Sequence, residues 1–351
     1  MQRSGPLAFL AFFTLSPAAF ANSMNPDISV VGQPAMVWSD ASEASIPSLD
    51  PGEVEGVFDA ALNPYARGTF ILALGEEGLE LEEGFFRLHR GLPAGLALKA
   101  GKYKVGLGRI NTTHAHALPF AERFGVMADY LPGEEGFSDV GLSLSELLPL
   151  GGDASLTLAA DWLQGDAFHA VREEEAELPT DTGSFRPAFA GSLTFSTLLG
   201  GRSPLDAGLS AVRGVNDVSA GTATLIADAF VKLRIRAARE DHLDLHGELV
   251  WRQQEHPGQE PSRALGGFAY GDYTFRRRFN LGASYEQFQP LDGLAGWNRG
   301  AGAFVGFGLM EETTLFALDG RRAFAGPDRD PETTLTLRAI FSMGPHKPHA
   351  F

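Results

Sequence analysis

Apolar and polar side chains alternate along much of this chain with a period of two. In residues 242–251, small or apolar residues at 243, 245, 247, 249 and 251 alternate with His242, Asp244, His246 and Glu248. Successive side chains of a strand point to opposite faces, so this segment carries one oily face and one polar face. Residues 223–236 repeat the pattern: Leu225, Ala227, Ala229, Val231, Leu233 and Ile235 form one face, and Thr224, Asp228, Lys232, Arg234 and Arg236 the other. So do 153–163, where Leu156, Leu158, Ala160 and Trp162 oppose Ser155, Thr157 and Asp161. In 333–343, Leu335, Leu337, Ala339 and Phe341 oppose Thr334, Thr336, Arg338 and Ser342. Alternating segments of about ten residues, repeated many times, are the rhythm of a transmembrane β-barrel with lipid outside and a wet lumen inside.

Alternation bounded by turn residues predicts strands near 27–36, 53–62, 66–75, 79–89, 94–103, 137–148, 153–163, 187–199, 205–213, 223–236, 242–253, 264–274, 278–288, 299–309, 312–319 and 333–343. The expected fold class is all-β, a transmembrane antiparallel β-barrel of sixteen strands. Pro34 interrupts the first segment, and losing a hairpin there would leave fourteen. Loop lengths give a separate test. With a periplasmic start, the connections at 63–65, 90–93, 149–152, 200–204, 237–241, 275–277 and 310–311 fall on one rim and are short. Those at 37–52, 104–136, 164–186, 214–222, 254–263, 289–298 and 320–332 fall on the other and are longer, with 76–78 the exception. Short periplasmic turns and long external loops are the asymmetry of outer-membrane barrels.

The first residues add a compartment. Arg3, the apolar run 7–15 and Ala19-Phe20-Ala21 match a secretory signal, so a signal peptide at 1–21 and a barrel at 22–351 are expected. No later stretch has ~18 consecutive apolar residues, which leaves strands rather than helices to cross a membrane. The absence of cysteine removes disulfides, thiolate metal sites and a thiol nucleophile. A formal net charge of −16 argues against nucleic acid as a partner, because its phosphates would be repelled.

The candidate chemistry lies on inward faces and in one long loop. Lys232, Arg234 and Arg236 lie beside Asp244, His246 and Glu248 on the next strand, and with Asp228 these are the expected pore lining. Their opposite charges read first as mutual neutralisation along the lumen wall. The longest external connection is the expected constriction, with Lys102, Lys104 and Arg109 on one limb facing Glu134, Glu135 and Asp139 on the other. In that loop His114 and His116 are spaced as metal ligands on an extended segment would be, and His346 and His349 add two more imidazoles. Zinc is thus the one cofactor for which the sequence offers ligands, although no carboxylate has a diagnostic spacing from these histidines. The acidic run 173–177 reads as a solvated face at the mouth. A strand-to-helix Gly-x-Gly-x-x-Gly unit, a Gly-x-Ser-x-Gly elbow and His-Glu-x-x-His are all missing, so catalysis is not implied.

Several segments carry a family resemblance. Asn25-Pro26-Asp27-Ile28-Ser29-Val30-Val31-Gly32, residues 100–119 (AGKYKVGLGRINTTHAHALP), residues 133–145 (GEEGFSDVGLSLS) and a terminal Pro-His-Ala-Phe resemble bacterial outer-membrane porin-like proteins. Members of that family are often labelled zinc-regulated TonB-dependent outer-membrane receptors. A TonB-dependent receptor needs a globular plug and a 22-stranded barrel, which roughly 330 residues cannot hold at ~20 residues per strand and turn. The resemblance therefore implies a small plug-less barrel, connected with metal supply. The function expected is an outer-membrane channel for passive or facilitated diffusion of small hydrophilic solutes or ions in a Gram-negative cell. The alternatives are a zinc-linked uptake protein using His114 and His116, and an outer-membrane hydrolase or adhesin. Partners expected are outer-membrane lipid, lipopolysaccharide, the solutes themselves and further copies of the chain in a homo-oligomer.

Overall fold

The computed structural model describes residues 26–41, 46–75, 78–133, 136–168, 186–217, 220–237, 240–291, 296–310, 313–326 and 330–344. The expected signal peptide and the terminal histidines lie outside these residues. Eighteen strand segments form one closed antiparallel sheet. Two pairs of segments are each one wall strand broken in the middle. Asp27–Gly32 and Ala35–Ser39 both pair with Glu332–Met343 on one side. On their other side they pair with Val54–Asn63 and Ser48–Asp50 respectively. The wall therefore has sixteen strands, as the alternation predicts.

The break itself has a simple cause. Pro34 cannot donate a ladder hydrogen bond. Opposite it, Gly52 adopts φ +67°, and a Cβ there would lie 2.2 Å from the Gln33 carbonyl oxygen. Proline demotes a strand locally, yet 35–39 resume on the same neighbour, so no hairpin is lost.

From Ala66–Gly75 to Thr314–Phe324 each strand pairs with its sequence neighbours, and Glu332–Met343 closes the ring against the first. The alternation is visible in exposure. Leu249, Val231, Trp162 and Leu337 are 62%, 52%, 50% and 45% exposed, while their neighbours Glu248, Phe230, Asp161 and Arg338 are buried. The whole outer wall carries exposed Leu, Val and Phe in this way. Such a surface is satisfied by hydrocarbon, not water. Aromatic rings, among them Trp162, Tyr285 and Phe279, stand exposed on this outer face. Among the described residues no helix is long and apolar enough to cross a membrane.

The inner face is not uniformly polar. Ile226, Val250, Phe268, Phe288 and Phe304 occupy inward positions and are buried. They are covered by the 105–137 connection, which folds into the lumen and brings the molecule's main apolar cluster with it.

Candidate functional site

The 105–137 connection is built to stay inside the barrel. Its two limbs are stitched together by Asn111, which is 1% exposed. The Asn111 amide donates to the Val105 and Phe137 carbonyls at 2.8 and 2.9 Å and accepts from the Phe137 N–H at 2.8 Å. Between these limbs run two short 3-10 turns, Ile110–Thr112 and Ala115–Ala117, and a one-and-a-half-turn helix, Gly125–Tyr130. The apolar side chains face the wall. Phe124 stacks on Phe268 with centroids 4.1 Å apart, and Phe120 meets Phe124 at 4.9 Å and Tyr270 edge-on at 5.2 Å. Tyr130 packs edge-on against Phe288 and Phe137 against Phe168.

Polar ties fix the loop to strands all round the ring. The Glu248 Oε1 accepts the backbone N–H groups of Arg109 and Ile110 at 2.9 and 2.8 Å, and lies 2.8 Å from His246 Nε2. Gly108 N–H donates to Ser210 Oγ at 2.8 Å. Gly108 must be glycine here: its φ is +66°, and a Cβ would sit 2.4 Å from Glu248 Oε2. Arg252 donates to the carbonyls of Asp129 and Tyr130, both at 3.0 Å, where the short helix ends. The Tyr130 hydroxyl donates to the Gln289 carbonyl at 2.7 Å, and Arg338 donates to the Leu118 carbonyl at 2.7 Å. Arg321 binds Glu122 of the loop at 2.7 Å and also Glu286 of the wall.

Below the loop, toward the short-turn rim, lies a vestibule of about 570 Å³. Its floor is loop backbone and side chains from Arg109 to Pro119, and its wall includes Lys232, Arg234, Asp244, His246, Tyr270 and Asp272. Arg277 and Arg278 stand at its mouth. Five cationic side chains thus outnumber two carboxylates, although the whole chain is strongly acidic. Asp244 is held in a two-point contact by Arg234, at 2.6 and 2.7 Å, and Asp272 accepts from Asn280 at 3.1 Å.

Of the residues expected to line the pore, Lys232, Arg234, Asp244 and His246 stand on the vestibule wall. Asp228 and Glu248 are instead covered by the loop at Gly108, with 5% and 2% exposure. Arg236 is exposed at the short-turn rim, outside the vestibule lining. Of the charges expected across the constriction, the described residues place only some. Arg109 reaches the vestibule, but Lys104 is buried with its Nζ 3.9 Å from Glu82 Oε2. Lys102 pairs with Glu80 at 3.2 Å, sharing a face with the exposed Val140, and Asp139 accepts the Val140 and Gly165 N–H groups. Glu134, Glu135, the acidic run 173–177, His346 and His349 lie outside the described residues. Apolar packing of the loop against the wall holds the constriction together with these polar ties.

The loop histidines lie in a carboxylate nest that sequence reasoning missed. His114 Nδ1 is 3.0 Å from Glu82 Oε2 and 3.1 Å from Glu55 Oε2, and its Nε2 is 3.1 Å from Glu83 Oε1. His116 Nδ1 is 3.3 Å from the same Glu55 oxygen, and the two rings stack at 5.8 Å. Burial pushes the His114 pKa down, but the surrounding carboxylates push harder the other way, to about 11. A β-bulge makes the nest. Ile71 pairs with Glu83 and Leu72 with Leu81, so Glu82 is the extra residue, and both glutamates are buried. The hydrolase alternative finds one serine–histidine contact, His256 Nε2 at 3.0 Å from Ser262 Oγ. Among the described residues no carboxylate meets the other ring nitrogen of His256, as a catalytic triad requires.

A closed wall of sixteen antiparallel strands is the fold of the outer-membrane porins. No protein-family model matches the chain. Its structure is similar to the anion-selective porin from Comamonas acidovorans, with TM-score 0.64 and 10% identity over 91% of this chain and 99% of that one. It is also similar to the outer membrane channel DcaP of Acinetobacter baumannii, with TM-score 0.59 and 10% identity over 92% of this chain and 99% of that one. A trimer form of the outer membrane protein OmpT of Vibrio cholerae has TM-score 0.61 and 10% identity over 91% and 99% of the two chains. At this identity the likeness is one of fold. In sequence, 107 residues are 33% identical to an uncharacterized protein of Aquifex aeolicus (strain VF5), a match that covers 30% of this chain and 22% of that protein. The TonB-dependent receptor class is not supported by these comparisons. Among the described residues a loop of the barrel itself occupies the lumen where such a receptor has a separate plug domain.

Proposed function

We propose that this protein is a bacterial outer-membrane channel for diffusion of small hydrophilic solutes, and that its vestibule favours anions. The observation that carries this reading is the contrast between the two faces of one closed wall. The outer face is a continuous apolar belt, and the inner face opens on a polar chamber in which cations outnumber carboxylates. The chamber volume, about 570 Å³, is within the range of small-molecule sites, roughly 300–1,000 Å³. A low-dielectric wall focuses the field of Arg109, Lys232 and Arg278 into the lumen, which raises the local concentration of anions. The porin fold of the relatives supports the channel reading, and the anion-selective relative shows that this fold accommodates such a preference. The trimeric relative supports a homo-oligomer seated in lipid and lipopolysaccharide through the apolar belt.

The test is conductance in planar bilayers with a salt gradient across the membrane. The expected result is discrete conductance steps with a reversal potential on the anion side. A folded, heat-modifiable protein that gives no conducting state overturns the channel reading. Steps with a cation-selective reversal potential overturn the anion preference alone.

A further inference from the structure

We propose that Glu55, Glu82 and His114, with His116 beside Glu55, form a binding site for a zinc-class divalent transition-metal ion, which fastens the inserted loop to the barrel wall. Four tetrahedral ligands bonded at about 2.0–2.1 Å set neighbouring ligand atoms roughly 3.3 Å apart. Here the Nδ1 of His114 stands 3.0 and 3.1 Å from one oxygen each of Glu82 and Glu55, and His116 Nδ1 stands 3.3 Å from that Glu55 oxygen. Glu55, Glu82 and His114 each bring a donor atom within 4.8 Å of the others, and all three are more than nine-tenths buried. His114 Nδ1 is buried among these oxygens and makes no aligned hydrogen bond to either. A ring nitrogen so placed faces the centre of the group, where an ion would take the place of its proton.

The surroundings of His114 fit the same assignment. Its other nitrogen, Nε2, faces Glu83 Oε1 at 3.1 Å. A ligating histidine characteristically gives its second ring N–H to a carboxylate, which fixes the tautomer and strengthens the donor. The charge also matches. With both imidazoles neutral, Glu55, Glu82 and Glu83 face one ammonium, Lys104, so the group needs two positive charges. Glu53 lies close enough to feel the charges of Glu82, Glu55, Lys104 and His114, and it adds to the negative field. An entry path exists, because His116 is also part of the vestibule floor. Nitrogen and oxygen donors in this ratio suit zinc, and cobalt is its spectroscopic substitute.

The experiment uses the full chain, free of any histidine tag, folded in detergent and stripped with chelator. Zinc per chain is measured by elemental analysis and calorimetry near neutral pH, and cobalt is added to read the visible absorption of a tetrahedral ion. The expected result is one zinc per chain with a tetrahedral cobalt spectrum. Binding is lost in His114→Ala/Glu82→Gln and weakened about 10–100-fold in Glu83→Gln. Heat-modifiable migration confirms that each variant has folded. Stripped wild-type protein that takes up no zinc overturns the proposal. Equal uptake by wild type and the double variant also overturns it, since the ion would then sit elsewhere. A variant lacking His346 and His349 is expected to keep its zinc, and loss of the ion there counts against the site.

Discussion

Replacing Phe124 by alanine tests whether apolar packing holds the constriction. Phe124 is 4% exposed, stacks on Phe268 at 4.1 Å and tilts against Phe120 at 4.9 Å. Truncating a phenylalanine so enclosed costs about 3–5 kcal/mol, from lost transfer energy and the cavity left behind. The sixteen-strand wall does not depend on this ring for its ladder, so the cost falls on loop docking. The equilibrium for local opening of 105–137 is then expected to rise roughly 10²–10⁴-fold. Hydrogen exchange followed by mass spectrometry reads this directly. Loop amides should exchange faster by that factor, while amides of strands such as Thr222–Arg236 stay within a few-fold of wild type. Loop exchange within a few-fold of wild type would refute the reasoning. So would uniform acceleration in the strands, because Phe124 would then be supporting the barrel instead.

Glu248→Ala leaves the N–H groups of Arg109 and Ile110 without their acceptor, at about 1–3 kcal/mol each, and should speed loop exchange accordingly. Glu248→Gln keeps one acceptor oxygen and is expected to restore most of the protection; equal exchange in the two variants would contradict the assigned role. Lys232→Glu reverses one vestibule charge. At ~8 Å in water each unit charge is worth about 0.5 kcal/mol to a passing ion, so the anion-to-cation permeability ratio should fall roughly fivefold at 0.1 M salt and far less at 1 M. A reversal potential unmoved at low salt would show that ions do not pass this wall.

The wall was legible because its physics is local. Each ladder strand needs only a period of two and a turn, and both are written in the residues around His242–Gln254. The position of the constriction was legible as the longest external connection. Its chemistry was not, although a signal lay in the open: Val105, Leu107, Ile110, Leu118, Phe120, Phe124, Val126 and Met127 are too apolar for a loop in water. Phe268, Phe288 and Phe304 on the inward parity are the matching half of that signal. Pairing those two halves needs the three-dimensional ring, which spacing along the chain does not encode. The carboxylates around His114 were hidden for a different reason. Glu82 and Glu83 are adjacent, so strict alternation sends them to opposite faces, and only a one-residue bulge turns both inward. Glu55 reaches them from another strand, at a sequence distance where no motif applies.

The stitched loop also sets an order of events during biogenesis. Its anchors run from Glu83 through Ser210, Glu248 and Glu286 to Arg338, and Arg338 belongs to the last strand of the chain. The loop therefore cannot finish docking until that strand has joined the first and closed the ring. A chain stalled before closure lacks the Arg338 tie to the Leu118 carbonyl, so the loop stays unfastened at that point. The last of the loop's ties thus forms only when the ring is complete, at the centre of the barrel and not at its seam.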